Sequence, residues 1–363
     1  MMDTSKLLNL REFEPLAREA LSPMIFDYYA GGANDDLTLH ENEAAYQRIF
    51  LRPRVMTGIA QRSMNTTVLG QPMNAPILIA PMAYMMMAHA DGEAAMARAA
   101  AKRGIHMVVS TSATVSLEDV VSAAPGGARW FQLYLYKDRE AARELVQRVE
   151  AAGYQALVLT VDRPYLGKRE PDIRNNFGLP APLLAKNLPT AASQGGAATY
   201  RGLVFEEDLR WSDVAWLKSI TRLPILVKGV MRGDDARFAL DHGADGIIVS
   251  NHGGRQLDGA MATIDALPEV ARAINGEVDV LVDGGIRRGS DVLKALARGA
   301  KAVLLGRPLL WGLALDGEAG VGRVLDLITE EFDLALALCG CQSVADVTPD
   351  LLADHKLILQ STQ

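Results

Sequence analysis

The sequence predicts a single α/β domain of the (β/α)8 (TIM) barrel type, and three observations lead to that prediction. Eight short apolar runs recur along the 363 residues, separated by segments with the apolar spacing of helices. Strands that alternate with helices favour a parallel sheet covered on both faces. A count of eight favours closure into a barrel, and the absence of GxGxxG after the first run argues against an open dinucleotide-binding sheet.

Each predicted strand is one of these apolar runs. In chain order they are ILIAP (77–81), MVVS (107–110), WFQLY (130–134), ALVLTVD (156–162), ILVK (225–228), GIIVS (246–250), VLVDGG (280–285) and AVLLGR (302–307). The segments between them, such as DGEAAMARAAAKRG and DREAARELVQRVEAAG, are predicted as helices. Each of these helices ends near a glycine, which is common at helix C-termini.

The remaining segments are assigned around the barrel. Residues 1–75 are predicted as an N-terminal helical cap, residues 76–340 as the barrel, and residues 341–363 as a C-terminal tail. Residues 178–207 are rich in Pro, Ala, Gly and Ser, and we predict one long loop there, after the fourth strand. Long loops in compact domains are often functional.

Composition argues against several classes of protein. The net charge is −7, and no dense cluster of Lys and Arg indicates a nucleic-acid-binding surface. No apolar run approaches the ~18 residues of a membrane span, and the N-terminus lacks the apolar segment of a signal peptide. Cys339 and Cys341 have no neighbouring His or Cys that would complete a metal site, so we predict reduced packing residues. We therefore expect a cytoplasmic protein without a metal.

Polar and charged residues stand at nearly every predicted strand end. The active sites of such barrels lie at the C-terminal strand ends, and a purely structural barrel has no need of these groups there. The residues are Pro81, Met82, Ala83, Ser110, Gln132, Tyr134, Thr160, Asp162, Lys228, Ser250, Asn251, His252, Asp283, Gly284, Gly285, Gly306 and Arg307.

The last two strand ends, DGGIRRG and LLGRP, predict a phosphate site. Three glycines would allow close approach of the backbone, and Arg287 and Arg307 would bind the phosphate oxygens. Other groups around the barrel mouth suit a polyol chain attached to that phosphate. These are Ser110, Gln132, Thr160, Ser250 and Asp283.

Lys228 ends the fifth strand, where burial of its charge is costly without a negative partner. A reduced flavin carries negative charge near N1, so flavin mononucleotide (FMN) would account for the lysine, the polyol partners and the phosphate site together. The same lysine would also suit a Schiff-base nucleophile in a barrel aldolase or isomerase. Both interpretations stay open on these residues alone.

The segment SNHGGRQLDG (250–259) follows the sixth strand and suggests a substrate site. His252 suits a base, and a carboxylate such as Asp162 would stabilise the imidazolium that it becomes. Arg169 and Arg255 suit bidentate binding of a substrate carboxylate. Tyr28 and Tyr134 would add hydroxyl donors.

Nine blocks, in order, resemble the FMN-dependent L-2-hydroxy acid oxidases and dehydrogenases, a family that includes glycolate oxidase, lactate oxidase and the mandelate enzymes. They are DYYAGGA, IAP-x-A, FQLY, LTVD, G-x-RE, LVKG, SNHGGRQLDG, DGGIRRG and GRP, and they extend over about residues 10–341. The resemblance implies that His252 is the catalytic base, with Asp162 and Tyr134 beside it. It implies substrate binding by Tyr28, Tyr134, Arg169 and Arg255. The implied FMN contacts are Pro81, Met82, Ala83, Ser110, Gln132, Thr160, Lys228, Ser250, Asp283, Gly284, Gly285, Arg287, Gly306 and Arg307.

The same resemblance implies a two-stage reaction. An L-2-hydroxy acid is oxidised to a 2-keto acid as FMN is reduced, and O2 then reoxidises the flavin to give hydrogen peroxide. A dehydrogenase that passes electrons to a quinone or a protein is the alternative. The fourth loop is too short and polar for the membrane-binding insertion of membrane-bound relatives, and neither a haem domain nor a peroxisomal signal is recognised. These features favour a soluble oxidase, and the family implies a homotetramer.

Two positions are informative about the substrate and the pocket wall. Glycolate oxidase has a tryptophan where this chain has Ser112, in STSAT, which predicts L-lactate or a larger acid as the substrate. Met82, Met85, Met86 and Met87 are predicted as flexible core packing, because Met fills irregular gaps. The alternative is that Met82 and Tyr84 line the flavin or substrate side.

Overall fold

The computed structural model describes residues 3–188 and 205–354, and it confirms the predicted barrel. Eight strands pair in parallel and close on themselves, with each strand beside its neighbours in the chain. They are β1 (Ile77–Ile79), β2 (His106–Ser110), β3 (Arg129–Leu133), β4 (Leu157–Thr160), β5 (Ile225–Val230), β6 (Gly246–Val249), β7 (Asp279–Asp283) and β8 (Ala302–Leu305).

Several predicted strands extend too far at their C-terminal ends. The ladder stops at Ile79, Thr160, Asp283 and Leu305, whereas the prediction continued through Pro81, Asp162, Gly285 and Arg307. The extra residues were counted because they follow apolar runs without a break. In the structure they leave the ladder and lie at the mouth of the barrel.

Helices cover the outside of the barrel. The described part of the chain contains α1 (Phe13–Ala20), α2 (Pro23–Ala30), α3 (Leu37–Gln47), α4 (Gly92–Ala101), α5 (Leu117–Ala123), α6 (Arg139–Ala151), α7 (Glu170–Arg174), α8 (Trp211–Ile220), α9 (Gly233–Asp241), α10 (Thr263–Ile274), α11 (Gly289–Ala297) and α12 (Arg307–Cys339). Helix α12 is two helices joined by a kink at Asp316 and Gly317, where the backbone is not helical. Its last residue, Cys339, and the nearby Cys341 are buried free thiols.

The N-terminal segment is helical only in its first part. Helices α1 to α3 end at Gln47, and an antiparallel hairpin of strands Thr66–Val68 and Gln71–Met73 follows. Buried Val68 and Met73 pack with Leu78, Val108 and Trp130 inside the barrel. The hairpin therefore closes the N-terminal end of the barrel, which leaves the C-terminal end for the site.

The predicted loop 178–207 is described only in part, because its residues 189–204 lie outside the described ranges. Phe205 forms an isolated antiparallel bridge with Tyr136, just after β3. Near the C-terminus, strand Leu352–Asp354 pairs antiparallel with Ile49–Leu51, and residues 355–363 lie outside the described ranges. Within the described chain, no helix is both long enough and apolar enough to cross a bilayer.

Candidate active site

A cavity lies at the C-terminal ends of the barrel strands. Of the predicted site residues, all but Asp162 and Ser250 line it. The lining set is Tyr28, Pro81, Met82, Ala83, Ser110, Ser112, Gln132, Tyr134, Thr160, Arg169, Lys228, His252, Arg255, Asp283, Gly284, Gly285, Arg287, Gly306 and Arg307. The structure thus brings together side chains from all eight strand ends and from helix α2 of the N-terminal segment.

His252 lies between a carboxylate and a phenol. Its Nδ1 is 2.8 Å from Oδ1 of Asp162, and its Nε2 is 3.5 Å from the hydroxyl of Tyr134. Because an ionised carboxylate only accepts hydrogen bonds, Asp162 holds the imidazole proton on Nδ1. The lone pair of the neutral ring is therefore on Nε2, the atom on the Tyr134 side.

The backbone turns sharply to place this ring. His252, Gly253 and Gly254 follow one another in the left-handed region, with φ of 59°, 64° and 76°. A non-glycine residue there is uncommon and costs about 1–3 kcal/mol. The amide of His252 donates to the hydroxyl of Ser250 at 3.1 Å, which stabilises the turn. Consecutive left-handed residues fold the chain back at the end of β6, toward Asp162.

Burial and charge both act on the His252–Asp162 pair. Burial lowers the pKa of the His252 imidazole, against the raising effect of Asp162. Burial alone would raise the pKa of Asp162, but His252, Lys228 and Arg163 outweigh it and lower that pKa. The favoured state is a neutral imidazole beside an ionised carboxylate, which is the state that a base requires.

Lys228 is buried and paired with acidic and hydroxyl groups. Its Nζ lies 2.9 Å from Oδ2 of Asp283 and donates to the hydroxyl of Ser250 at 2.7 Å. Burial opposes the charge of the lysine, but Asp283 and Asp162 outweigh it and raise its pKa. Ser250 is fully buried and does not line the cavity, so its predicted contact with the cofactor stays a prediction. Its hydroxyl accepts hydrogen bonds from Lys228 and from the amide of His252, and it positions both.

Arg169 and Arg255 lie together at another side of the cavity. Nη1 of Arg255 donates to the carbonyl of Gly31 at 2.6 Å, and its guanidinium lies 5.2 Å from the ring centroid of Tyr28. Nε of Arg169 donates to the carbonyl of Arg255 at 3.3 Å. Both arginines line the cavity, so their positive charges face the same space. An anion between them would match both charges.

Two further arginines mark the β7 and β8 side of the cavity. Arg307 donates to the carbonyls of Tyr29 and Gly31, at 2.9 and 3.2 Å, and burial together with Arg287 lowers its pKa to about 10. Arg287 pairs with Glu43 at 2.7 Å. Two buried cations side by side are costly unless an anion joins them, which agrees with the predicted phosphate position.

Gly284 and Gly285 meet a second requirement besides the predicted close approach of a phosphate, which stays a prediction. A Cβ on Gly285 would lie 1.9 Å from the carbonyl oxygen of Asn42. A Cβ on Gly284 would lie 2.8 Å from the hydroxyl oxygen of Thr263. Both glycines have positive φ, so the protein itself requires them where helix α3 crosses the β7 loop.

Several buried polar atoms that belong to the cavity-lining residues lack a partner in the described structure. They are Nε2 of Gln132, Oγ1 of Thr160 and Oδ1 of Asp283. Buried polar groups are nearly always hydrogen-bonded, so these atoms indicate a polar ligand. A phosphate near Arg287 and Arg307, a polyol and a polar ring would satisfy these groups, and the residues present therefore fit FMN.

The sequence did not predict three features that support or line the site. Asn42 and Asn251 exchange side-chain hydrogen bonds of 2.9 and 2.8 Å, and these join helix α3 to the β6 loop. Gln256 accepts from Arg169 and donates to the carbonyl of Asp162 at 2.8 Å. Arg163 lines the cavity beside Tyr134. Asn251 and Gln256 had a signal, since both belong to the SNHGGRQLDG block, and Asn251 was listed at a strand end without a role.

Comparison with known proteins agrees with this geometry. An L-lactate oxidase of Nostoc sp. is 51% identical over 363 residues, with 97% of this chain and 100% of that protein covered. The human 2-hydroxyacid oxidase 1 is 47% identical, with 97% and 98% covered. A solved mandelate oxidase with (S)-4-hydroxymandelic acid is 41% identical and superposes with a TM-score of 0.91, over 96% of this chain and 98% of that one. Residues 17–354 match the FMN-dependent dehydrogenase family. This chain belongs to the FMN-dependent dehydrogenase family.

Proposed function

We propose that this protein is an FMN-dependent oxidase that converts an L-2-hydroxy acid to the 2-keto acid and reduces O2 to hydrogen peroxide. The observation that carries the proposal is the neutral His252, held by Asp162 at 2.8 Å, in one cavity with the cations Arg169 and Arg255. Bound FMN supplies the two-electron acceptor for this oxidation. The similarity to oxidases of lactate, glycolate and 2-hydroxy acids supports the same chemistry.

In this proposal one part of the cavity holds the cofactor. Arg287 and Arg307 would bind the phosphate, since they form the pair of neighbouring cations. Gln132, Thr160 and Asp283 would hydrogen-bond the polyol and the ring through atoms that have no partner in the described protein. Pro81, Met82, Ala83 and Gly306 would form the wall against the ring, and Lys228 would face its N1 region with Asp283 beside it.

The other part holds the substrate. Arg169 and Arg255 would bind the carboxylate, and Tyr28 and Tyr134 would bind its oxygen atoms. Nε2 of His252 would take a proton from the substrate, and Asp162 would stabilise the imidazolium that results. The segment before the barrel takes part, because Tyr28 belongs to helix α2 and the carbonyl of Gly31 fixes Arg255. We therefore treat residues 1–363 as one catalytic unit.

The pairing of Lys228 argues against the aldolase alternative. A Schiff-base lysine must be neutral to attack a carbonyl, whereas Asp283 at 2.9 Å favours the charged ammonium and raises the pKa of Lys228. Ser112 lines the cavity with a small side chain, which supports L-lactate or a larger acid as the substrate. We further propose a cytoplasmic homotetramer, which light scattering of the purified protein would test.

The deciding experiment follows the flavin of the purified holoenzyme. Mixing with L-lactate without oxygen should bleach the flavin, and air should then restore its colour with one equivalent of peroxide. The substitution His252→Ala should slow bleaching roughly 10²- to 10⁴-fold, the usual range for loss of a general base, while FMN stays bound. The control is His40→Ala, at an exposed histidine outside the cavity.

Two results would contradict the proposal. Bleaching of the His252→Ala variant at the wild-type rate would exclude His252 as the base. A flavin that bleaches but stays reduced for minutes in air would identify a dehydrogenase, the alternative electron acceptor being a quinone or a protein.

A further inference from the structure

Arg163 is a cation of the cavity to which the proposed function assigns no anion of the cofactor or substrate, although its charge helps to lower the pKa of Asp162. Among the described residues, six cationic side chains line the cavity, against the single carboxylate of Asp283. In the proposed function, Arg287 and Arg307 bind the phosphate, and Arg169 and Arg255 bind the substrate carboxylate. Lys228 is paired with Asp283. Only the charge of Arg163 is left without an assigned anion.

The contacts of Arg163 leave its hydrogen-bond donors available. The guanidinium lies 4.7 Å from the ring centroid of Tyr134 and 5.5 Å from that of Phe205. Stacking occupies the flat face of a guanidinium, whereas its N–H donors point outward in the plane of the group. No side chain among residues 3–188 and 205–354 accepts a hydrogen bond from Arg163 or forms an ion pair with it. Within the described ranges the group is therefore held in place by rings, and its donors face no acceptor side chain there.

The position of Arg163 in the barrel places it on the substrate's side. Ser112, Tyr134 and Arg163 follow the ends of β2, β3 and β4, which are adjacent strands, and all three line the cavity. The phosphate arginines follow β7 and β8, on the other side of the barrel. Tyr134 belongs to the first of these groups and contacts His252. The wall formed by Ser112, Tyr134 and Arg163 therefore lies beside His252, and a side chain of the substrate that extends along this wall reaches Arg163.

We propose that Arg163 binds a second carboxylate on the substrate, so that L-2-hydroxy dicarboxylic acids of four or five carbons are preferred substrates. This inference rests on the proposed function, since it names the class of 2-hydroxy acid that the same site oxidises. A guanidinium is suited to a carboxylate, because its paired N–H groups match the two oxygens. The rings of Tyr134 and Phe205 fix the guanidinium in advance, which reduces the entropy lost on binding.

The test compares acids of equal length. L-malate is matched with L-2-hydroxybutyrate, and L-2-hydroxyglutarate with L-2-hydroxyvalerate, in anaerobic flavin reduction by the holoenzyme. We expect the wild type to have at least a tenfold higher kcat/KM for the dicarboxylate of each pair. Arg163→Leu should lower kcat/KM roughly 10- to 100-fold for dicarboxylates, the usual effect of losing a charge-assisted bond, and less than threefold for monocarboxylates. Arg163→Lys should keep part of the preference.

Arg272→Leu is the matched control, because it removes one arginine charge from the exposed face of helix α10, outside the cavity. This substitution should leave kcat/KM unchanged for both dicarboxylates and monocarboxylates.

An equal loss of kcat/KM for dicarboxylates and monocarboxylates in Arg163→Leu would overturn the inference. That result would identify Arg163 as a residue that supports Tyr134. Absence of a dicarboxylate preference in the wild type would overturn it as well. If none of the four acids nor L-lactate reduces the flavin, the proposed function itself fails, and this inference fails with it.

Discussion

Replacement of Asp162 by Asn tests how the carboxylate behind His252 acts. The substitution removes a negative charge 2.8 Å from Nδ1 and changes little in size. The neutral imidazole has little need of that charge, but the imidazolium that forms as Nε2 takes a proton depends on it. Unit charges with centres about 4 Å apart interact by about 4 kcal/mol at an effective dielectric constant of about 20. Since each 1.36 kcal/mol is a tenfold change in rate, flavin reduction should slow roughly 10³-fold.

The pH dependence of flavin reduction in Asp162→Asn is a second, independent test. Burial lowers the pKa of His252, and Asp162 opposes that lowering. Without the carboxylate the pKa must fall further. The base is inactive when protonated, so the wild-type rate of flavin reduction falls as the pH drops through this pKa. In Asp162→Asn the acidic limb should therefore move to lower pH, although the maximum rate is smaller.

Anaerobic stopped-flow bleaching from pH 4 to pH 9 measures both quantities. Asp208→Asn is the control, because that carboxylate is 74% exposed and its ion pair is with the exposed Arg210. Bound FMN should be equal in all variants, which the visible spectrum checks. A loss of rate below about tenfold, or an acidic limb that moves to higher pH, would refute the assignment of Asp162 as the group that stabilises the imidazolium.

Two further predictions concern other parts of the barrel. Ser112→Trp should place a large ring in the cavity on the side of Tyr134. It should lower kcat/KM for acids larger than lactate by roughly tenfold or more and affect glycolate little. An unchanged substrate range would show that Ser112 does not limit the size of the pocket. His106 is 3% exposed, and burial lowers its pKa to about 4. The pKa of this residue in the unfolded chain is about 6.5, so the unfolded chain binds more protons between about pH 4 and pH 6.5. Its contribution to stability is complete above pH 6.5 and is lost as the pH falls toward 4. The free energy of unfolding by urea should therefore drop by about 2 kcal/mol from pH 7.5 to pH 5 through this residue. That drop should be absent in His106→Gln, and an equal drop in the variant would exclude His106 as its source.

The barrel and most of its lining could be predicted from the sequence because both follow local rules. Buried parallel strands are continuous apolar runs, and the residues directly after them must lie at one end of the barrel. The same rule explains the error at the strand ends. Three of these residues follow an apolar run in the chain without a break, namely Pro81, Asp162 and Arg307. In the structure the backbone has left the ladder at these positions, and the residues lie at or beside the cavity.

The supports of the site could not be predicted, because they depend on contacts between distant segments. Asn42 and Asn251 are 209 positions apart and form a reciprocal amide pair. Neither belongs to a pattern that identifies the other, since one lies on helix α3 and the other follows β6. A second requirement for Gly285 could not be predicted for the same reason: it comes from the close approach of Asn42, which no local rule places beside β7.

The charge of the cavity has the opposite sign to the charge of the chain, and this difference bears on how anions reach the site. The chain carries a net charge of −7, yet six cationic side chains and one carboxylate line the cavity. Exposed charges more than about 8–10 Å apart are largely screened by salt, whereas charges around an enclosed space with apolar walls are screened much less. The net charge of the chain therefore carries no information about the potential inside the barrel. The fold holds Arg255 through Gly31, Arg169 through Gln256 and Lys228 through Asp283. The positive potential therefore exists before an anion enters, and no rearrangement is needed for it to act on that anion.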